Sequence, residues 1–441
     1  MVFTVKDGSN PRDVALYALL NINMKGRKSN VFIRETLDKN SDLSARDKAL
    51  CEHIVEGTLS RLYSIDGILS QYSKTPVKEL NPYIREILRL SVCQLIYMDR
   101  IPKQAVLNEA VELAKRRGLT GLSGYVNGVL RSICRDMEKL KAAGDKELKG
   151  ALKEGYIRWS VPEWLYNKLT KDFGIESAES IFSAWLTLRK VSVRFNLSKG
   201  LSEEEIKIMT EEDGITAERL PGTAPVYELN GLSGMGVGSL KAFKEGFITV
   251  QDSSAAALTE YCPPKKGDRI LDICAAPGGK TLLYADSLCG TGFISSRDIS
   301  REKTDLIKEN VSRCGFENIT VSEADASIFD KKSEEAFDIV IADLPCSGLG
   351  VAAKKPDIKK NITPETITGL RDLQRKILAN AVRYLKKGGR LVYSTCTVTK
   401  EENEENADFI GASLGLKPLN MKRIMPGEHC DGFFIAVFEK K

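Results

Sequence analysis

Apolar positions along this chain recur first at helical and then at strand intervals. From about residue 10 to 140 the spacing is helical. Asn10 before Pro11 is an N-cap followed by Pro at the first helical position, and Val14, Tyr17 and Ala18 continue as an apolar stripe. The same start recurs at Asn81-Pro82, followed by Ile84, Ile87, Leu88, Ser91 and Leu95. Val106, Ala110, Leu113 and Ala114 predict a further helix, and Val126, Val129, Leu130 and Ile133 another. Residues 1–140 therefore read as an all-α domain. Lys139–Lys153 is charged and contains Gly and Ala, which predicts a connector.

Residues 141–250 read as this linker and a small α+β module. Val191–Phe195 alternates like a strand, Ser202 and Glu205 suit a capping box, and Phe247–Val250 is another short strand. From 251 to 441 strands and helices alternate. Strands are predicted at Arg269–Ile273, Gly292–Ser295, Ile319–Val321, Ile339–Ile341, Leu391–Tyr393 and Gly432–Phe438, with helices after Lys280 and over Arg301–Cys314. That alternation predicts a mostly parallel, doubly wound sheet. The fold class is multidomain, α followed by α/β.

Composition narrows the chemistry. The chain has 441 residues, 42 % hydrophobic and 28 % charged, as in soluble globular proteins. No apolar run approaches the ~20 residues of a membrane span. The N-terminal residues lack the apolar stretch of a secretion signal, so a cytoplasmic location is expected. The ten cysteines form no C-x-x-C pair, which argues against zinc clusters and disulfide frameworks. With two histidines, His53 and His429, neither a His-based triad nor a His-rich metal site is expected. Cys51, Cys93 and Cys134 fall in helical patterns and read as small core residues. A formal charge of +5 permits a nucleic-acid partner without requiring one.

The strand at 269–273 runs into Cys274, Ala275, Ala276, Pro277, Gly278, Gly279, Lys280 and Thr281. Small residues between a strand and a helix let the backbone approach a ligand closely. Two readings stay open. The spacing nearly matches a phosphate-binding Walker loop, but Cys274 replaces its first glycine and Pro277 removes a backbone donor. The other reading is a nucleoside site. Asp298 follows the second strand, placed to accept from ribose hydroxyls, and Asp325 follows the third, in reach of an adenine. Together they favour an adenosine-containing cofactor without a triphosphate.

Two further cysteines follow strand-like runs. Cys346 lies in Asp343-Leu344-Pro345-Cys346-Ser347-Gly348 and Cys396 in Tyr393-Ser394-Thr395-Cys396-Thr397. Residues at the carboxyl ends of such strands face the ligand crevice, so both thiols are candidates for one site. At this point the motifs carry a resemblance. CAAPGGKT (274–281), ADLPCSG (342–348) and YSTCT (393–397), preceded by QDSSAAAL (251–258), resemble the S-adenosylmethionine-dependent RNA 5-methylcytosine methyltransferases. The N-terminal helices resemble the NusB-like RNA-binding fold. The three parts in this order are similar to bacterial small-subunit rRNA methyltransferases.

The resemblance implies a class I methyltransferase domain of Rossmann-like fold, S-adenosylmethionine as cofactor, and transfer of its methyl group to C5 of a specific cytosine in 16S rRNA. It implies Cys396 as the nucleophile that adds to C6 of the base and Cys346 as the group that assists product release. It implies Asp343 against the cytosine ring, with Lys280 lowering a thiol pKa or orienting the base. Residues 274–280, Asp298, Asp325 and Asp343 are the implied cofactor residues. The base must be splayed out to react, which is easiest in RNA loops and bulges. The helical domain, the small module and lysine-bearing segments would contact phosphates. Candidates are Lys115-Arg116-Arg117, which equally suits a helix end, and Lys354–Lys359, where lysines stand in place of the family's arginines and histidine. Leu344 replaces a small residue of the family and Asn361 an aromatic one. No metal is expected and a monomer is the default. A nucleotide hydrolase and a non-catalytic rRNA-binding assembly factor are the alternatives.

Overall fold

The computed structural model describes residues 10–142, 154–187, 189–232 and 236–441. Residues 1–9, within the stretch that was read for a secretion signal, and 143–153 of the expected connector lie outside the described residues. The chain forms two compact units, one of residues 1–187 with 352–361, the other of 188–351 with 362–441.

The first unit is helical. Asn10 caps the helix Pro11–Lys25 by accepting from Arg12 N, and Asn81 does the same for Pro82–Val92. Helices Ala45–Ser60, Lys103–Arg116 and Thr120–Arg135 pack their stripes inward. Leu16, Ile54, Val55, Ile87, Leu113 and Ile133 are fully buried in this core. Arg116 stands 3.0 Å from Asp13 and 2.5 Å from Glu109, Arg117 2.5 Å from Asp13, and Lys115 2.8 Å from Glu112. The basic run thus meets carboxylates of its own unit.

Residues 352–361 join this unit although both their neighbours in sequence belong to the other. Asp357 accepts from the Ser29 hydroxyl and, at 3.3 Å, from Ser29 N, at the start of helix Ser29–Lys39. A negative charge there complements the helix dipole. Lys359 is buried and donates to the Ser60 carbonyl at 2.8 Å, while Lys360 donates to the Asn23 carbonyl at 2.9 Å. Lys359, expected to face phosphates, therefore spends a donor on a backbone carbonyl, as does Lys360 beside it.

The second unit holds two sheets. Strands β1 (Ser192–Phe195), β2 (Thr216–Arg219), β3 (Val226–Asn230) and β4 (Ile248–Val250) form an antiparallel sheet in the order β2-β3-β1-β4. Helix Glu203–Glu212 beside it carries the expected capping box of Ser202 and Glu205. Fully buried Arg194 of β1 donates to Gln251 at 2.8 Å and to Asp286 at 2.9 Å, fixing this sheet to the larger one.

The larger sheet comprises β5 (Arg269–Asp272), β6 (Phe293–Asp298), β7 (Ile319–Glu323), β8 (Phe337–Asp343), β9 (Leu385–Thr395), β10 (Lys417–Ile424) and β11 (Phe433–Glu439). Its order is β10-β11-β9-β8-β5-β6-β7. Strands β5 to β9 pair in parallel, and β11 and β10 close the edge antiparallel. Ile270, Leu271, Ile339, Val340 and Ile341 are fully buried, as central parallel strands covered on both faces require. Strand order reverses between β5 and β8, and ligands bind beyond the carboxyl ends of strands at such a switch point. The glycine loop leaves β5 and the Cys346 loop leaves β8 on either side of it, and the Cys396 loop leaves β9, the strand next to β8.

Candidate active site

The glycine loop leaves β5 and turns toward β6. Ala275 N donates to the Arg297 carbonyl at 2.9 Å, and Ala276 N to Asp298 Oδ2 at 2.9 Å. Gly278 has φ 103°, a conformation that favours glycine, and it opens helix Gly279–Leu288. Cys274 packs its thiol against the sheet core, where burial pushes its pKa up. Asp298 also accepts from Ile299 N at 2.8 Å and pairs with Lys303 at 3.0 Å. Asp325, beyond β7, accepts from Ser327 N at 2.8 Å, and hydrogen bonds from Ser327 lower its pKa.

Helix Gly279–Leu288 aims Lys280 at the end of β8. Its Nζ stands 2.6 Å from Asp343 Oδ2, and Ser394 Oγ donates to Asp343 Oδ1 at 2.8 Å. Burial works to lower the Lys280 ammonium, yet Asp343, Cys396 and Asp272 hold it above its ordinary value. Thr281 is fully buried, with its hydroxyl 2.7 Å from Asp272 Oδ2 and 2.8 Å from Ser296 Oγ. Asp272 is also fully buried, and its Oδ1 has no protein partner. Burial pushes its carboxyl up to about 7.

The two cysteines meet. Cys346 Sγ lies 3.4 Å from Cys396 Sγ, and both residues are half-buried. The Cys346 thiol is pushed well up, first by its hydrogen bond with Cys396, then by burial and by the charges of Glu402 and Asp343. Cys396 lies within Coulombic reach of Lys280.

The loop thus serves a nucleoside better than a triphosphate. In a phosphate cradle the Lys and Thr must be free for phosphate oxygens and a metal ion, but here Lys280 is engaged with Asp343 and Thr281 faces the core. Asp272, Asp298, Asp325 and Asp343 gather at the ends of β5 to β8, where they suit a cationic adenosine derivative. S-adenosylmethionine, with a sulfonium and an ammonium, fits that charge, and the orphaned Oδ1 of Asp272 is a polar atom left for such a group.

Comparison with known proteins agrees. A profile of the NusB family matches residues 9–135, and one described as 16S rRNA methyltransferase RsmB/F matches residues 260–439. A Bacillus subtilis (strain 168) protein named probable ribosomal RNA small subunit methyltransferase B is 34 % identical, covering 98 % of this chain and 98 % of its own. The chain belongs to the RsmB/F family of 16S rRNA methyltransferases. A Synechocystis (strain ATCC 27184 / PCC 6803 / Kazusa) protein with the same name is 34 % identical over 97 % of this chain and 99 % of its own. The crystal structure of PH0851 superposes with a TM-score of 0.78 at 25 % identity, covering all of both chains. As a member of the RsmB/F family, the protein is an S-adenosylmethionine-dependent rRNA methyltransferase with an N-terminal NusB domain. Among its described residues, no helix is long and apolar enough to cross a membrane.

Sequence reasoning singled out Lys280, Asp343, Cys346 and Cys396, and the fold brings these four together. Asp298 adjoins the glycine loop, and Asp325 stands one strand further out. Four participants were missed: Ser347, Ser394, Thr397 and Glu402, each hydrogen-bonded to a residue of the two cysteine loops.

Proposed function

We propose that this enzyme methylates C5 of a cytosine in 16S rRNA through a covalent adduct between Cys396 Sγ and C6 of the base. The observation that carries the reading is the pair of thiols 3.4 Å apart beside the Lys280–Asp343 ion pair. C5 of cytosine is a poor nucleophile, and thiolate addition at C6 makes it enamine-like. When bound, S-adenosylmethionine supplies an electrophilic methyl group to that carbon. Lys280 favours the thiolate of Cys396 by its charge. Asp343 faces the base and accepts from its exocyclic amine as charge develops on the ring. After methylation a base, with water as the acceptor at hand, takes the C5 proton; the C5–H electron pair forms the C5=C6 double bond, and the C6–S bond breaks with its electron pair returning to Cys396 sulfur. Cys346, kept as a thiol, donates a hydrogen bond to that departing sulfur.

Asp298 is assigned to the ribose hydroxyls, Asp325 to the adenine and residues 274–280 to the backbone cradle. The helical unit and the small sheet are assigned to rRNA recognition, the enzyme to the cytoplasm and its working form to a monomer. Denaturing gels with labelled rRNA test the chemistry. Cys346→Ala should accumulate a covalent protein–RNA adduct, and Cys396→Ala should form none. Full methyl transfer by Cys396→Ala would overturn the assignment. Nucleoside mass spectrometry of the product should find 5-methylcytidine.

A further inference from the structure

β8 and β9 are neighbours in the sheet only as far as Asp343 and Ser394, with a last backbone bond from Leu344 N to the Ser394 carbonyl at 3.1 Å. Beyond that point the ladder ends, and one backbone bond, from Gly350 N to the Cys396 carbonyl at 3.0 Å, joins the two cysteine loops. Side-chain hydrogen bonds centred on Glu402 join them further, directly from Ser347 and Thr399 and through Ser347 from Thr397. Ser347, after Cys346, donates to Glu402 from its backbone N at 2.8 Å and from its hydroxyl at 2.5 Å. Thr397, after Cys396, has its hydroxyl 2.6 Å from Ser347 Oγ. Thr399 Oγ1 donates to Glu402 at 2.7 Å and Gln374 Nε2 at 3.2 Å. The same Gln374 amide nitrogen reaches the carbonyl of Pro345, the residue before Cys346, at 2.8 Å.

Glu402 is fully buried. Burying a carboxylate is costly unless its lone pairs are filled, and here four hydrogen bonds fill them. If the loops needed only packing, an apolar side chain of similar size would avoid that cost. A hub that accepts from both loops instead fixes one geometry, since each donor has one place to go.

We propose that Glu402 is a positioning residue that sets the separation and orientation of Cys346 and Cys396. This rests on the two-thiol reading above, though the geometry it explains does not depend on it. The negative charge has a second consequence: it helps keep Cys346 protonated, the state in which that thiol is a donor.

The test uses the full-length enzyme with Glu402→Ala, Glu402→Gln and Ser347→Ala. A displacement of about 1 Å at reacting groups costs on the order of 100-fold in rate. Glu402→Ala should therefore lower single-turnover methyl transfer by about that factor while calorimetric affinity for S-adenosylmethionine stays unchanged. Glu402→Gln should largely rescue the rate. Its amide oxygen still accepts from Ser347 N and Gln374, and its NH2 donates to the two hydroxyls. Having lost the charge, it should also shift the alkylation profile of Cys346 to lower pH.

A second readout ignores methyl transfer. Diamide takes two electrons and two protons from a neighbouring thiol pair, is reduced to the hydrazine and leaves a disulfide. Peptide mapping should show the Cys346–Cys396 bridge forming fast in wild type and Glu402→Gln, and slowly in Glu402→Ala and Ser347→Ala. Wild-type methyl transfer and wild-type bridging in Glu402→Ala would overturn the proposal. If that variant does not fold, Ser347→Ala with unchanged bridging and unchanged rate would do so. Activity retained by Cys396→Ala would instead sink the two-thiol chemistry, leaving the bridging result to judge Glu402 on its own.

Discussion

Lys280 Nζ lies 2.6 Å from Asp343 Oδ2, and each side chain keeps about a fifth of its surface exposed (21 % and 22 %). The pair is open on one side, so it can meet a substrate without first being dug out. Ser394 holds the other Asp343 oxygen, so the carboxylate is oriented before anything binds. Replacing Asp343 by Ala removes that oriented acceptor. A single preorganised group of this kind is worth about 100- to 1,000-fold in rate. Asp343→Ala should lose that much single-turnover methyl transfer, with less than a twofold change in adduct trapping counting against its place beside the base.

Gly350 closes the Cys346 loop onto the end of β9. Its N–H donates to the Cys396 carbonyl at 3.0 Å, and its own carbonyl accepts from Gly432 N at 2.9 Å. A Cβ placed there would stand 2.0 Å from the Gly432 oxygen and 2.8 Å from the Cys396 oxygen. Both obstacles are backbone, so neither can swing aside. Gly350→Ala should cost at least about 1–3 kcal/mol by overpacking and separate the two thiols. Thermal unfolding and the diamide bridge report the two effects. A variant with wild-type melting temperature would mean the loop relaxes more easily than its contacts suggest.

The parts legible in the sequence are those with a local signature. Asn10-Pro11 and Asn81-Pro82 announced two helix starts because capping is chemistry between near neighbours. The apolar runs at Ile270-Leu271 and Ile339-Val340-Ile341 announced central strands because both faces of those strands are buried. β10 did not announce itself. All but its last two residues are exposed, and its sequence, Lys417–Ile424, alternates weakly. Glu402 was hidden for a different reason. It sits among Glu401, Glu404 and Glu405, a run that reads as the solvated start of a helix. Only the fold shows that this one carboxylate points inward to Ser347. Lys359 was misleading in the same way, since a lysine in a basic run is ordinarily a surface cation.

Asp357 fixes the returning segment to the helical unit by accepting from both the hydroxyl and the backbone N–H of Ser29. Lys28, the N-cap of that helix, makes no side-chain cap bond, so Asp357 does the capping from a distant point in the chain. Hydrogen bonds to a charged group contribute about 1.5–3 kcal/mol. Asp357→Ala should destabilise the helical unit by that order, read as a lower urea midpoint. Ser29→Ala, which keeps the backbone donor, should cost less. Equal losses in the two variants would assign the whole effect to the hydroxyl.

Asp272 and Lys359 predict opposite slopes of stability with pH. Asp272 has its carboxyl raised from 3.8 to about 7, first by burial. Between those values the folded protein holds a proton that the unfolded chain has released, so stability falls as pH rises through the window. Lys359 has its ammonium lowered from 10.5 to about 7, first by burial and then by Arg61. Here the unfolded chain holds the extra proton, so stability rises from about pH 7 to 10.5 and the cost is full below 7. Each shift corresponds to a few kcal/mol at roughly 1.4 kcal/mol per unit. The two contributions together are least favourable near pH 7. Asp272→Asn should flatten the acid-side slope and Lys359→Met the alkaline one, each leaving the other intact because the residues sit in different units. Urea unfolding of the cofactor-free protein from pH 5 to 10 measures both. If Lys359→Met kept the wild-type slope between pH 8 and 10, the ammonium would be titrating normally, and its burial against Ser60 would have to be abandoned.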